Sequence, residues 1–149
     1  MAVAYALHLL AAIVWVGGMF FAHMVLRLAA MELEPPQRLS LWLGVFHRFF
    51  LWVWLAVIFL PPTGYALIGA HGGMGAVGWP VHVMHLVGWV MVALFFYLFF
   101  LPYRRMETAL AAGDLPGAAA QQAVIRRIVT INLTLGLIIS ALVAAGRWM

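Results

Sequence analysis

Six histidines, His8, His23, His47, His71, His82 and His85, stand out in a chain that has little else able to do chemistry. A neutral imidazole ligates haem iron, copper or zinc, and two imidazoles facing one another across a helical bundle are a common way of holding b-type haem. Three or four converging imidazoles with a thioether beside them suit copper instead, because nitrogen and sulfur together serve both of its oxidation states. His8 and His85 each stand nineteen residues ahead of an arginine, Arg27 and Arg104. On helices running the same way, at about 1.5 Å per residue, that spacing puts them at one depth. His82 lies one turn further out on the same side as His85, and His71 belongs to the loop above.

The spacing thus predicts an outer site. His8 with His82 or His85 would ligate a haem, and His8, His71, His82 and His85 with Met84 would hold copper, with Met74 nearby. Trp15 and Trp89, seven and four residues beyond His8 and His85, are expected to wall it. Ala11, Ala12 and Gly88 are small enough to let a flat macrocycle approach. His23, one turn before Arg27, and His47, beside Arg48, offer a second, inner site whose members differ in depth by roughly 4–5 Å.

Absences narrow the chemistry further. Without cysteine, disulfides, iron–sulfur clusters and thiolate metal sites are excluded. No Asp, Glu or Lys falls inside an apolar stretch, which argues against a carboxylate proton relay. Ser40 and Ser140 are the only serines, and Asp114 is the single aspartate, in a loop, so a Ser-His-Asp triad is not credible. Thr130, Asn132, Thr134 and Ser140 are expected to hydrogen-bond between helices, Asn132 being also able to donate to a propionate or quinone oxygen.

The elements that must position these groups are membrane helices. Apolar residues make up 67% of the 149-residue chain, against eight basic and four acidic side chains. A span takes roughly 20 apolar residues, and four such stretches run over 3–26, 41–68, 81–101 and 128–145. The expected fold is all-α, a single transmembrane domain over 1–149 forming a four-helix bundle. The first stretch has no basic residue before it and no small-residue cleavage pattern, so it is expected to remain as structure.

Arg27, Arg38, Arg48, Arg104, Arg105, Arg126 and Arg127 bracket the first and third loops, while the second loop has no basic residue and only Arg147 contradicts the pattern. Basic loops stay in the cytoplasm, so both termini are expected to face outward. The same arginines account for a pI of about 10.4 through anionic lipid headgroups, without a nucleic acid. Glu34-Pro35-Pro36 is expected to stop the first helix. Pro61-Pro62 predicts a kink or an unwound turn inside the second span. Gly113-Asp114-Leu115-Pro116 predicts a break between two interfacial helical pieces, with Asp114 as an N-cap. His71-Gly72-Gly73-Met74-Gly75 reads as a flexible outer loop.

The run Ala6-Leu7-His8-Leu9, followed by Ala12-Ile13-Val14-Trp15-Val16-Gly17-Gly18-Met19-Phe20-Phe21, resembles the opening of the copper-resistance D (CopD-like) family of small bacterial integral membrane proteins. Thr63-Gly64-Tyr65 and the pairs Arg104-Arg105 and Arg126-Arg127 are similar to that family too. More distantly, the layout resembles the haem-binding membrane protoporphyrinogen oxidases, whose shared histidines fall on His8 and His82. The chain departs from that family in having no lysine and no basic-aromatic run after the first span. The resemblances imply a bacterial inner-membrane location, a four-helix fold shared with haem proteins, and a family name that suggests copper.

Three functions follow as expectations. The first is a haem b protein ligated near the outer face, transferring electrons or acting on a lipophilic quinone-like or porphyrin-like substrate. The second is a copper-binding or copper-passing protein served by a periplasmic donor. The third is a cofactor-free assembly partner. Gly17-Gly18 permits close self-association into a homo-oligomer.

Overall fold

Each apolar stretch becomes part of a longer helix. The computed structural model describes residues 1–146, and among them there is no strand. Four helices are long and apolar enough to cross a membrane: α1, Ala2–Glu32; α2, Pro35–Ala70; α3, Trp79–Ala111; and α4, Leu115–Gly146. They run 31 to 36 residues, about 47–54 Å at the α-helical rise, whereas the hydrocarbon layer is about 30 Å thick. Arg27, Arg38, Arg48, Arg104, Arg105, Arg126 and Arg127 lie towards one end of the bundle. The start of α1, the end of α4 at Gly146 and the α2–α3 loop lie at the opposite, terminal end. Arg147 lies outside the described residues.

Local chemistry explains the joints. Pro35 and Pro36 occupy the first turn of α2, where a missing N–H breaks no helical bond, so the prolines that end α1 also begin α2. Gly113 closes α3 with a φ of +74°, and the Asp114 N–H donates to the Ala109 carbonyl at 2.9 Å, a Schellman-type stop. Asp114 then caps α4, its Oδ1 accepting from the Gly117 N–H at 2.9 Å. The helical pieces on either side are therefore ends of α3 and α4, not the separate interfacial helices expected. Polar residues continue a helix once it leaves the hydrocarbon, and an apolar count cannot see them.

The α2–α3 loop is likewise a series of turns, with Gly72 at φ +94° and the Gly73 N–H donating to Ile68 at 2.9 Å. Pro61 and Pro62 lie within α2 without unwinding it. Pro102 falls in a π-helical turn of α3, Phe99–Tyr103, where the wider turn accommodates a residue without an N–H. A second π turn, Ala22–Leu26, carries His23.

Packing is closest between α1 and α2 and between α3 and α4, with α1 also touching α4. Gly18 allows the first of these pairings, since a Cβ there would run into the Phe49 ring. Aromatic rings join the two pairs across the middle and the arginine half. Phe50 of α2 meets Phe95, Phe99 and Tyr103 of α3 edge-on at 5.7, 6.0 and 5.0 Å. Trp54 sits 5.4 Å from Phe95, and Trp15 of α1 closes on the same ring at 6.2 Å. Towards the terminal end the pairs part around a cavity of about 980 Å³, lined by all four helices.

Candidate metal-binding site

The cavity's polar corner is built around Thr63 of α2. This threonine is buried, and its hydroxyl donates back to the Phe59 carbonyl at 2.5 Å, with the Leu60 carbonyl at 3.1 Å as the alternative acceptor. Such back-bonding is how a helical threonine satisfies its one proton, and it leaves the Oγ1 lone pairs to accept. His8 of α1 supplies the donor. Its Nδ1 lies 3.0 Å from Thr63 Oγ1 and 3.1 Å from the Leu60 carbonyl oxygen. A carbonyl only accepts, so the ring carries its proton on Nδ1, and Nε2 keeps a free lone pair. This is the arrangement that metal-binding imidazoles adopt, one nitrogen held by a carbonyl and the other offered to the ion. Gly64 makes room for it, because a Cβ there would lie 3.2 Å from His8 Cε1.

Tyr65, the next residue, serves the opposite wall. Its ring meets the His85 ring edge-on at 5.3 Å, and its hydroxyl accepts from Trp89 Nε1 at 3.4 Å. Thr63-Gly64-Tyr65 thus touches both candidate ligand helices, α1 through His8 and α3 through His85. His8, His85 and Met84 all line the cavity, with Trp15, Trp89, Ala12 and Gly88 beside them. A side chain added at Gly88 would enter open space. Aside from Tyr5, His8, Tyr65, His85, Trp89 and Ser140, the lining is almost wholly apolar.

The remaining histidines are elsewhere. His82 is exposed and does not line the cavity, although it lies within one turn of His85. His71 sits at the end of α2, its Nδ1 2.8 Å from the Leu67 carbonyl, and it too is outside the cavity. Among the described residues no group of three or more His, Asp or Glu stands close enough to hold a metal, so the four outer histidines do not form one cluster. At the arginine end, His23 approaches Thr130 of α4 and His47 approaches Tyr103 of α3, each at 3.5 Å. The two inner histidines therefore have partners on different helices.

The polar residues of α4 divide. Asn132 bonds between helices as expected, donating to the Met91 carbonyl at 3.2 Å, while its buried Oδ1 has no protein partner. Thr134 and Ser140 instead return their hydroxyl protons to the carbonyls four residues back in α4, and Thr130 does both, donating to the Arg126 carbonyl while its oxygen faces His23 of α1. A helix's own carbonyl is always within reach of its Ser and Thr side chains, whereas a partner on another helix must be placed by packing. The arginine end holds one ion pair among the described residues, Arg104 to Glu107 at 3.2 Å on an exposed surface.

Sequence reasoning found His8 and His85 by depth but missed Thr63 and Tyr65 as their supports. The signal was present as a polar Thr-Gly-Tyr directly after a double proline inside an apolar span.

Comparison with known families returns a match of residues 43–146 to the model described as copper resistance protein D. The match includes Thr63, Gly64, Tyr65, Met84 and His85. It leaves out α1, and with it His8 and the Trp15-Val16-Gly17-Gly18 run. It agrees with the resemblance to copper-resistance proteins and lends nothing to the one with haem-binding oxidases. No curated protein matches the chain, and no solved structure does.

Proposed function

The chain belongs to the copper resistance protein D family, and from that premise we propose that this multi-pass membrane protein binds copper as cargo at His8, His85 and Met84. The observation that carries the reading is the His8 ring, pinned through Nδ1 to α2 and left with Nε2 as a lone-pair donor in a cavity that His85 and Met84 also line. Two imidazoles and a thioether make a neutral set that suits Cu(I) and offers little to magnesium or calcium, which take oxygen ligands. A neutral set also lets an ion of low charge leave again, which passing it on requires.

The arginine bias supports an orientation in which the terminal end faces away from the cytoplasm of a bacterial inner membrane. Copper would then arrive from a periplasmic donor, with exposed His71 near the entrance. The test is metal analysis together with absorption spectra, oxidised and then dithionite-reduced, on one detergent-purified sample. Stoichiometric copper without a Soret band supports the proposal.

One observation favours a second reading. About 980 Å³ is far more than an ion occupies and sits at the top of the usual range for small-molecule pockets, so a b-type haem between His8 and His85 is the alternative. A Soret band with sharp reduced α and β bands would establish it in place of copper. Neither signal would favour a cofactor-free assembly partner.

A further inference from the structure

We propose that Thr63, itself no ligand, is a positioning residue that acts with the Leu60 carbonyl to select the nitrogen through which His8 binds its ligand. Acceptors are scarce along an apolar helix. Backbone carbonyls of α2 are committed to the helical ladder, and a second helix can donate into that ladder only where acceptor capacity is left over. Leu60 provides one such carbonyl, which Thr63 Oγ1 at 3.1 Å also approaches. Thr63 Oγ1 provides the other acceptor, and at 3.0 Å it is the nearer of the two to His8 Nδ1. Its own proton is spent on the backbone four residues earlier, so towards His8 it can only accept.

Both acceptors face one edge of the ring, so they favour the Nδ1–H tautomer and disfavour the Nε2–H form, which would leave Nδ1 as a lone pair against two oxygen lone pairs. The selection matters because the energetic difference between the two neutral tautomers is small without such partners, and a ligand needs a bare nitrogen on the cavity side. Gly64 completes the arrangement by letting the ring lie against α2. α2 thereby controls a ligand that belongs to α1 without contributing a metal donor of its own.

The inference rests on the proposed role of His8 only in its affinity arm; the tautomer is a property of the metal-free protein. The experiment is long-range ¹⁵N–¹H NMR on the histidine-labelled, metal-stripped full chain in detergent, with the His8 signals assigned by their loss in His8→Ala. Wild type and Thr63→Ser are expected to show Nδ1 protonated and Nε2 bare. Thr63→Val, which keeps the shape, removes the nearer acceptor and leaves the Leu60 carbonyl to hold Nδ1–H alone, is expected to show a mixture containing Nε2–H. A wild type already in the Nε2–H form, or a Thr63→Val protein indistinguishable from wild type, would overturn the proposal. Thr63→Ala carries the same expectation if the valine variant does not fold.

The second readout is Cu(I) affinity by competition with a chromophoric chelator. Thr63→Val should weaken binding about 10- to 100-fold, the usual consequence of removing the group that orients a ligating histidine, and Thr63→Ser should restore it. If His8→Ala leaves Cu(I) binding unchanged, the copper reading fails while the spectra still decide the role of Thr63.

Discussion

His8 and His85 differ from the other histidines in what surrounds them, and that difference makes the site testable one residue at a time. Both line the cavity, whereas His82 is exposed outside it and His71 is bonded to the end of its own helix. Under the copper reading, His8→Ala and His85→Ala are each expected to abolish stoichiometric copper in metal analysis of purified protein, while His82→Ala and His71→Ala retain it. Loss of copper in the His82 variant alone would show that the wrong histidine of α3 had been chosen. Gly64→Ala tests the space against α2: its Cβ would sit 3.2 Å from His8 Cε1, so the ring must shift by a few tenths of an ångström. The expected result is a folded protein whose Cu(I) affinity falls about tenfold, the mild end of what disturbing a ligand's support does.

At the scale of elements, two glycines next to each other in α1 make opposite predictions. A Cβ on Gly18 would meet the Phe49 ring of α2, and one on Gly17 meets nothing within 4 Å. Gly18→Leu is therefore expected to cost about 1–3 kcal/mol by overpacking, and Gly17→Leu to cost far less, as read by thermal unfolding in detergent. The start of α4 gives another test. Asp114→Ala removes the acceptor of the Gly117 N–H and should destabilise by about 0.5–2 kcal/mol. Gly117→Ala should do the same, because its Cβ would fall on the Asp114 carboxylate. The cap at Asp114 and the stop of α1 at Glu34-Pro35-Pro36 were legible from residue types alone, since both act on the nearest backbone. The true lengths of α3 and α4 were not, because Arg104 to Ala111 and Leu115 to Arg127 are too polar to register as span and yet stay helical outside it.

For the whole molecule, the absence of cysteine makes topology directly measurable. Single cysteines at Gly75, in the α2–α3 loop, and at Ala112, in the α3–α4 loop, are both at exposed positions. With both termini outward, Gly75→Cys should react with an impermeant maleimide in intact spheroplasts, and Ala112→Cys only after the membrane is opened. The reverse labelling would place the cavity on the cytoplasmic side and remove the periplasmic donor from the proposal.

The sequence by itself determined the class and the number of helices, and it gave an expected depth for each histidine. These are one-dimensional quantities: hydrocarbon thickness sets span length, and the rise per residue converts distance from an arginine into depth. What only the tertiary structure decided is direction around each helix axis. His82 and His85 are one turn apart on one helix, but which of them looks into the bundle depends on where α2 and α4 lie. Thr63 and His8 are far apart in the chain and meet only because Gly18, Phe49 and Gly64 allow α1 and α2 to pack closely. The cavity has the same origin: aromatic rings hold the two helix pairs together around Phe50, Trp54 and Phe95, whereas towards the terminal end Tyr65 bridges them across the cavity to His85 and Trp89.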